Sequence, residues 1–399
     1  MEILRAFRYR NYRLFFAGQF ISLTGIWMQT VAVSWLVYRL TKSAFLLGAV
    51  AFAGQIPIFI LTPFAGVAAD NFNRRRILII TQILAMIQAF ILAMLSIRGV
   101  VAVWHVVYLS IFLGLINAFD IPTRQSFVVE MVGDKKDLGN AIALNSFMFN
   151  GSRLIGPSLA GILIAVAGEG ICFLINALTF FAVIFALLAI RLEPRTIPRR
   201  NGNILHGLKE GIVYTFGFAH MRYILLLTVL TSVVGMSYVI IMPIFAKDIL
   251  RGGAHTLGFL MGAAGLGALA GAIYLASRKG IEGLEKIIPM STIIFGLGLI
   301  AFSFSNILWL SLILILFAGF GIMVQTVASN TVLQSLTDDD KRGRVMSLYV
   351  MAFMGMTPFG SLLAGILASK VGAPHALLIS GIACILGTIF LSRRIFLQR

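Results

Sequence analysis

Twelve long apolar stretches, separated by short polar connections, occupy almost all of the 399 residues of this chain. A helix needs about 20 apolar residues to cross the hydrocarbon core of a bilayer, so each stretch is long enough to form one membrane span. Hydrophobic residues make up 59% of the sequence and charged residues 12%, whereas soluble domains contain about 45–50% and about 25%. The sequence therefore predicts an all-α membrane protein with twelve transmembrane helices and no separate soluble domain.

The basic residues predict how these spans are oriented. We place the spans at residues 14–39, 43–68, 77–98, 102–122, 139–166, 171–190, 223–246, 256–277, 287–304, 307–328, 345–368 and 375–392. With these bounds, 25 of the 32 Lys and Arg residues fall on the side that holds both termini, six fall on the other side, and Arg153 lies inside a span. The positive-inside rule then makes both termini cytoplasmic. Topology explains the net charge of +17, and no nucleic-acid partner is expected.

An internal repeat divides the spans into two sets of six. The segment 156–163 in span 5 matches the segment 360–367 in span 11, at an offset of 204 residues. We therefore predict an N-terminal six-helix bundle at residues 1–190 and a C-terminal six-helix bundle at residues 223–399. Residues 191–222 contain two prolines and then an amphipathic pattern. This pattern predicts a cytoplasmic linker with a short helix on the membrane surface.

The loop between spans 2 and 3 carries a charged motif. Gly66 is followed by Asp70 and by an arginine triplet that begins at Arg74. The arrangement resembles the signature of the major facilitator superfamily, from which it departs with Asn71 for an arginine and Asn73 for a glycine. The resemblance implies a secondary transporter whose two six-helix bundles are related by a pseudo-two-fold axis.

A carboxylate among arginines at a helix end forms charge-assisted hydrogen bonds that hold one conformation and are broken in another. We therefore predict a conformational latch in this loop and in its counterpart before span 11. The predicted latch residues are Gly66, Asp70, Arg74 and Arg75 in the first half and Asp338, Arg342 and Arg344 in the second. The alternative is an ordinary basic loop with an incidental aspartate.

Span 5 contains a second signature, formed by Gly156, Pro157 and Gly161. It resembles the Gly-Pro stretch of drug:proton antiporters, although small residues and a proline also occur in ordinary membrane-helix packing. Residues 11–14, 17–19, 122–128 and 342–349 resemble the bacterial subfamily that includes the enterobactin exporter. The resemblance runs the length of the chain and implies an inner-membrane exporter of siderophore-like or drug-like molecules. The arginine-containing span-4 signature common in such antiporters is missing, because residues 113–120 contain no arginine.

The sequence also limits the source of energy. No glycine precedes a lysine anywhere in the chain, so the GxxxxGK[ST] phosphate loop is missing. The remaining drivers are an ion gradient, for which we expect protons, or the gradient of the substrate itself. We expect alternating access around a midplane site between the bundles, in a monomer without cofactor or metal.

Two charges at membrane depth point to the functional site, because a charge in hydrocarbon costs about 2.5–3.5 kcal/mol on insertion scales. Arg153 lies well inside span 5, and Asp120 lies near the cytoplasmic end of span 4. We interpret Arg153 as the group that attracts an anionic substrate and Asp120 as the proton-coupling residue. Alternatively, the two form a fixed charge pair, or Asp120 pairs with Arg13 or Arg124.

Polar and aromatic residues at membrane depth complete the predicted pocket. The predicted substrate-binding residues are Gln19, Trp27, Gln55, Asn117, Asn150, Arg153 and Gln325. Apolar walls with a few polar groups and one guanidinium suit an amphipathic, anionic small molecule. Translocation of a lysolipid or import of a metabolite remains an alternative, and membrane lipid is an expected partner. A channel would need a polar pore or a ring of charge, and an enzyme would need clustered His, Asp or Cys at membrane depth. The sequence offers neither.

Overall fold

The structure, a computed structural model, describes residues 5–132, 135–191, 204–236, 238–278, 280–338 and 341–396. At residues 63, 65–71, 129, 135, 136, 204–209 and 393–396 it describes the backbone alone. Within these ranges every regular element is helical and no strand is present. This follows from the solvent, because a helix satisfies all backbone hydrogen bonds within its own segment and lipid offers no other partner.

Twelve spans in the described chain are long and apolar enough to cross a membrane, which confirms the predicted number. After a 3₁₀ turn at Arg5–Arg8, the helices are α1 (Arg10–Thr41), α2 (Ala44–Asn71), α3 (Arg74–Ile97), α4 (Val103–Glu130), α5 (Lys135–Ala167), α6 (Glu169–Ala189), α7 (Ile204–Gly217), α8 (Ala219–Leu230), α9 (Tyr238–Ile244), α10 (Ala254–Ala276), α11 (Leu284–Ser303), α12 (Leu308–Leu336), α13 (Arg342–Val350), α14 (Thr357–Val371) and α15 (Ala373–Phe396). Several spans extend beyond the predicted bounds. The helix continues through the polar residues at the membrane surface, as α4 does past Pro122.

Spans 7 and 11 are not regular helices. Span 7 consists of α8, a π-helical turn at Thr231–Gly235, α9 and a second π-helical turn at Phe245–Ile249. Span 11 consists of α13, a π-helical turn at Met351–Gly355 and α14. A π-helical turn contains an extra residue and disturbs the regular ladder of hydrogen bonds, and such turns are often found at functional sites.

The chain packs into two units. The first contains the described residues of 1–41, 53–201 and 253–258, and the second contains those of 42–52, 202–252 and 259–399. The linker helix α7 thus belongs to the second unit, together with the start of α2, whereas the start of α10 belongs to the first. The boundaries predicted at 190 and 222 stay predictions.

The first unit combines an apolar core with a buried polar network. Phe15 of α1 packs against Phe127 of α4 in the core, and both side chains are buried. Gln29 of α1 donates to Gln88 of α3 at 3.0 Å and accepts from Asn176 of α6 at 2.7 Å. These interhelical amide bonds connect three helices at a depth where an unpaired amide is costly.

The second unit holds the linker helix against its own core. Thr215 of α7 is completely buried, and Tyr214 packs on the core that contains Val345 and Leu348 of α13. At the other end of the unit α2 crosses α14 so closely that a Cβ added to Gly48 would lie 2.9 Å from the Cα of Gly365. Glycine at both positions permits this approach.

Candidate functional site

Arg153 and Trp27 form a cation–π pair in the first unit. The guanidinium carbon of Arg153 lies 5.7 Å from the ring centroid of Trp27. Trp27 in turn meets Phe149 in a T-shaped contact with 5.7 Å between the ring centroids. Within the described part of the chain Arg153 forms no ion pair or hydrogen bond. Its N–H edge is therefore not occupied by any described side chain, while its face is covered by an aromatic ring.

The glycine-proline segment of α5 brings this pair together. A Cβ added to Gly156 would lie 2.6 Å from the Cβ of Trp27 and 2.8 Å from the carbonyl oxygen of Thr24. A Cβ added to Gly161 would lie 2.9 Å from the Cα of Gly258, at the start of α10. Any side chain at Gly156 would push α5 away from α1, so this glycine sets the position of Arg153 relative to Trp27.

Helix geometry places a second polar residue beside Arg153. Successive residues of an α-helix are rotated by about 100°. Relative to Gly156, which faces α1, Arg153 lies at about 60°, Asn150 at about 120° and Gly161, which faces α10, at about 140°. Arg153 and Asn150 thus share the side of α5 between these two contacts. Asn150 donates to the Ser146 carbonyl at 2.9 Å, and its side-chain oxygen is buried without a partner among the described residues.

The other predicted substrate-binding residues differ in how they are bonded. Gln19 is 1% exposed, and its side-chain nitrogen has no hydrogen-bond partner among the described residues. Gln55 and Asn117 are partly exposed, and no described residue hydrogen-bonds to either side chain. Gln325 bonds within its own helix, to Ser329 at 3.3 Å. Gln19 thus shares with Asn150 the property of an unsatisfied buried polar atom, which is costly unless something binds it.

Asp120 belongs to α4, its side chain contacts α3, and it is 3% exposed. Its Oδ1 accepts hydrogen bonds from Thr81 at 2.9 Å and from Gln82 at 2.7 Å. Its Oδ2 lies 3.3 Å from Nε of Arg124, one turn along α4. Of the candidate partners Arg13, Arg124 and Arg153, the structure thus selects Arg124, and the alternative pair of Arg153 with Asp120 does not form.

The predicted latch of the first half makes contacts that the sequence did not suggest. Arg74 forms an ion pair with Glu130, at the end of α4, with 2.7 Å between the charged atoms. Arg75 donates to the carbonyl oxygens of Leu187 and Leu188 at 2.6 and 2.7 Å, near the C-terminal end of α6. Cations at a helix C-terminus are favoured by the helix dipole.

The backbone of Gly66 and Asp70 lies in α2, and the Asp70 side chain falls outside the described part. The role of the Asp70 carboxylate in the latch therefore stays a prediction.

The predicted latch of the second half connects to the linker helix. Glu210 of α7 pairs with Lys341 at 2.7 Å and also with Arg344. Asp338 accepts a hydrogen bond from Tyr214 of α7 at 2.9 Å. Arg342 begins α13 and is exposed. The acidic partner of Lys341 and Arg344 is thus Glu210, a residue outside the predicted latch.

Several residues of the site were not predicted, because the predictions rest on charged residues and on the polar residues of the predicted pocket. Thr81, Gln82, Glu130 and Phe149 each contact a selected residue. Adjacent Thr81 and Gln82 near the start of an apolar span are a signal that was available in the sequence. Among the described residues no group of three or more His, Cys, Asp or Glu side chains is placed to hold a metal ion.

The fold is that of the major facilitator transporters. A bacterial homolog of the human lysosomal transporter Spinster, in an inward-facing and occupied conformation, superimposes with a TM-score of 0.74 at 13% sequence identity, covering 96% of both chains. The nucleoside transporter NupG gives a TM-score of 0.71 at 12% identity, covering 96% of this chain and 98% of its own. Together with a match to a transporter family, this fold makes the chain a multi-pass membrane transporter rather than an enzyme. The chain belongs to the transmembrane secretion effector family of this superfamily, which it matches over residues 3–398.

Two relatives of known name match most of the chain. The staphyloferrin A transporter of Staphylococcus aureus is 27% identical over 390 residues, which is 97% of both proteins. The multidrug efflux pump Tap of Mycolicibacterium fortuitum is 28% identical over 351 residues, which is 86% of this chain and 85% of the pump. The resemblance to the major facilitator superfamily that the motifs indicated is thereby confirmed.

Proposed function

We propose that this protein exports an amphipathic, anionic small molecule from the bacterial cytoplasm across the inner membrane. Export proceeds by alternating access and is coupled to protons, and both termini face the cytoplasm. The observation that carries the proposal is the Arg153 guanidinium, which lies on the face of Trp27 without any described carboxylate to neutralise it. A cation at membrane depth is expensive and is kept where it has a function.

The chemistry of the pair favours one kind of substrate. The guanidinium presents several N–H donors in one plane, which match the two oxygens of a carboxylate or the oxygens of a catecholate. Trp27 and Phe149 offer apolar surface beside this charge. A molecule that combines an anionic group with a flat or apolar body fits both features, and the names of the two relatives support a siderophore-like or drug-like substrate.

Asp120 is the proposed proton-coupling residue. Its side chain is buried within span 4, in contact with polar groups of α3 and with Arg124. Protonation of the carboxylate would remove its attraction to Arg124 and loosen the contact between the two side chains. We therefore assign it the step that links proton entry to the change of conformation.

The test uses purified protein in liposomes with a pH-sensitive dye inside and a panel of catecholates, amphipathic drugs and lysolipids outside. We expect proton movement that depends on an anionic compound and is lost in Asp120→Asn. In Arg153→Gln we expect the apparent affinity for the anion to fall at least about tenfold, because a charge-assisted hydrogen bond is worth about 1.5–3 kcal/mol.

Arg98→Gln is the matched control, since Arg98 is an exposed arginine at the far end of α3, and we expect it to leave transport unchanged. Normal transport of every accepted compound by Arg153→Gln would contradict the assignment of this arginine. Transport of lysolipids alone would replace the anion by a lipid-like substrate, and accumulation inside intact cells rather than protection would replace export by import.

A further inference from the structure

The surroundings of Asp120 contain more hydrogen-bonding capacity than an ionised carboxylate uses. The Thr81 hydroxyl has one hydrogen but two acceptors within reach, the Leu78 carbonyl and Asp120 Oδ1, both at 2.9 Å. Gln82 donates its amide N–H to Oδ1, while its own Oε1 is buried without a partner among the described residues. Thr81 is 5% exposed and Gln82 is 4% exposed, so both side chains are shielded from bulk water.

We infer that Thr81 and Gln82 make Asp120 a built proton-binding site, because together they hydrogen-bond both the charged and the neutral carboxyl. With the ionised form, the Thr81 hydroxyl and the Gln82 N–H both donate to Oδ1. With the neutral form, a proton on Oδ1 donates to Thr81 Oγ1, whose own hydrogen turns to the Leu78 carbonyl. Rotation of the Gln82 amide by half a turn would alternatively present Oε1 as the acceptor of the new O–H.

This double capacity matters because a buried polar group that loses its partner is strongly penalised. A carboxylate held only by donors would leave its O–H without an acceptor after protonation. At Asp120 the acceptor already exists, and only hydrogens and one amide have to move. Thr81 and Gln82 are therefore positioning residues for the proton, and they deepen the proton coupling proposed above.

Arg124 is the charged group whose attraction to Asp120 differs between the ionised and the neutral carboxyl. Arg124 is the one charged side chain in contact with Asp120 in the described part of the chain. The α3 helix faces the carboxylate with Thr81 and Gln82, which do not titrate. Other charges at this end of the neighbouring helices include Arg74, which pairs with Glu130, Arg75 and Arg10, which donate to backbone carbonyls, exposed Arg76 and Arg13, and Asp137 on α5, which accepts from Tyr9.

The experiment reads protonation directly and needs no substrate. Infrared difference spectra of the purified protein in lipid are recorded while the pH is changed, and a protonated carboxyl gives a band that Asp120→Asn assigns by its loss. We expect this band in the unmodified protein. In Gln82→Leu and in the nearly isosteric Thr81→Val we expect the band to change position, because the O–H loses an acceptor.

Gln88→Leu is the matched control, since Gln88 is a buried glutamine of the same helix that bonds to Gln29 and not to Asp120. We expect it to leave the band unchanged, and Thr81→Ser to behave as the unmodified protein. Absence of any band sensitive to Asp120→Asn over the pH range of the folded protein would overturn the inference. So would a band that is identical in Gln82→Leu and Thr81→Val. Either result leaves export itself to be judged by the liposome assay, so the two failures are distinguishable.

Discussion

The two halves of this chain share one glycine contact and use it differently. In the first half, Gly156 of α5 packs on Thr24 and Trp27 of α1, an unbroken helix of 32 residues. In the second half, Gly360, which follows Gly156 by the repeat offset of 204, packs on the carbonyl oxygens of Ser232 and Val233. That contact falls on the π-helical turn of span 7. Both halves keep the close crossing at this glycine, but the glycine packs on a regular α-helix in the first half and on a π-helical turn in the second.

The side chains next to the two glycines differ in the same way. Arg153 precedes Gly156 by three residues, and Thr357 occupies the corresponding position before Gly360. Arg153 lies on an aromatic ring with its N–H edge uncovered, whereas the Thr357 hydroxyl donates to the Phe353 carbonyl in the π-helical turn at 2.9 Å. The first half therefore carries the charge to which we assign substrate recognition, and the second carries irregular helices that deform more easily.

The segments that precede span 1 and span 7, which we call the arms of the two halves, can be compared in the same way. Before span 1, the Tyr9 hydroxyl donates to Asp137 at the start of α5 at 3.0 Å. Before span 7, the Tyr214 hydroxyl donates to Asp338, just before α13, at 2.9 Å. The second arm adds Glu210, with ion pairs to Lys341 and Arg344, beside this shared tyrosine–aspartate contact. The duplication thus preserved the tyrosine–aspartate contact, and the second copy carries these ion pairs next to it.

The largest effect is expected from adding one methyl group at each crossing. Gly156→Ala should lower the free energy of unfolding by about 2–3 kcal/mol, because the new Cβ meets the Trp27 Cβ and a backbone carbonyl of a regular helix. Gly360→Ala should cost about 1 kcal/mol, because the π-helical turn can adjust. Thermal and denaturant unfolding of the purified variants measure both values.

Gly139→Ala is the control for helix propensity, since a Cβ there would meet nothing within 4 Å. Equal losses in Gly156→Ala and Gly360→Ala would show that the π-helical turn is as rigid as an α-helix. The comparison between a rigid and a deformable crossing would then be withdrawn.

A smaller effect is expected from removing the aromatic ring under Arg153. Trp27→Leu should weaken binding of an accepted anion by about threefold to tenfold, because a cation–π contact that keeps the guanidinium in place is worth about 0.5–2 kcal/mol. The measurement is the concentration dependence of transport in liposomes. Trp104→Leu is the matched control, since Trp104 is 57% exposed and lies on His105. Unchanged binding in Trp27→Leu would mean that Arg153 is positioned by α5 alone.

The sequence predicts the fold well because the membrane imposes it. Span length, the positive-inside bias and the repeat between Gly156 and Gly360 each reflect a constraint that acts on the whole chain. The irregular turns of spans 7 and 11 could not be predicted in this way. An apolar segment with a glycine, such as that ending at Gly355, fits an α-helix as well as a π-helical turn, and the choice depends on packing.

Site residues could be predicted from the sequence where burying them in an apolar span costs free energy, and could not be predicted where the residue type is common in membrane helices. Arg153 and Asp120 stand out because a charge in an apolar span needs an explanation. Their partners Phe149 and Gln82 do not stand out, since phenylalanine is common in membrane helices and an isolated glutamine usually bonds to a neighbouring helix. Glu210 was missed for a different reason. Its partners lie more than 120 residues away, and only the folded chain brings them together.

The smallest effect is expected at the charged arm, and it depends on pH. The hydrogen bond from Lys341, together with the charge of Arg344, lowers the pKa of Glu210 below its ordinary value. Because the folded-state pKa is lowered, the pairing stabilises the docked arm fully above the ordinary glutamate pKa of about 4.3, and the stabilisation is lost as the pH falls through the lowered pKa. Glu210 is exposed to solvent, so water and salt screen the interaction and the effect is modest.

A nitroxide label at Val213→Cys reports the docking, since Val213 of α7 is 67% exposed and both native cysteines are buried. We expect the label to gain mobility in the otherwise unmodified protein as the pH falls through the lowered pKa of Glu210. In Glu210→Gln the mobility should be raised at neutral pH and should no longer change with acid. Glu285→Gln, at an exposed acidic position in the first turn of α11, should leave the acid step in place. If the step persists in Glu210→Gln, the docking is controlled by Asp338, whose bond to Tyr214 the first half also possesses in the form of Asp137 and Tyr9. The two arms would then be held in the same way, and the additional ion pairs of the second would contribute nothing to its docking.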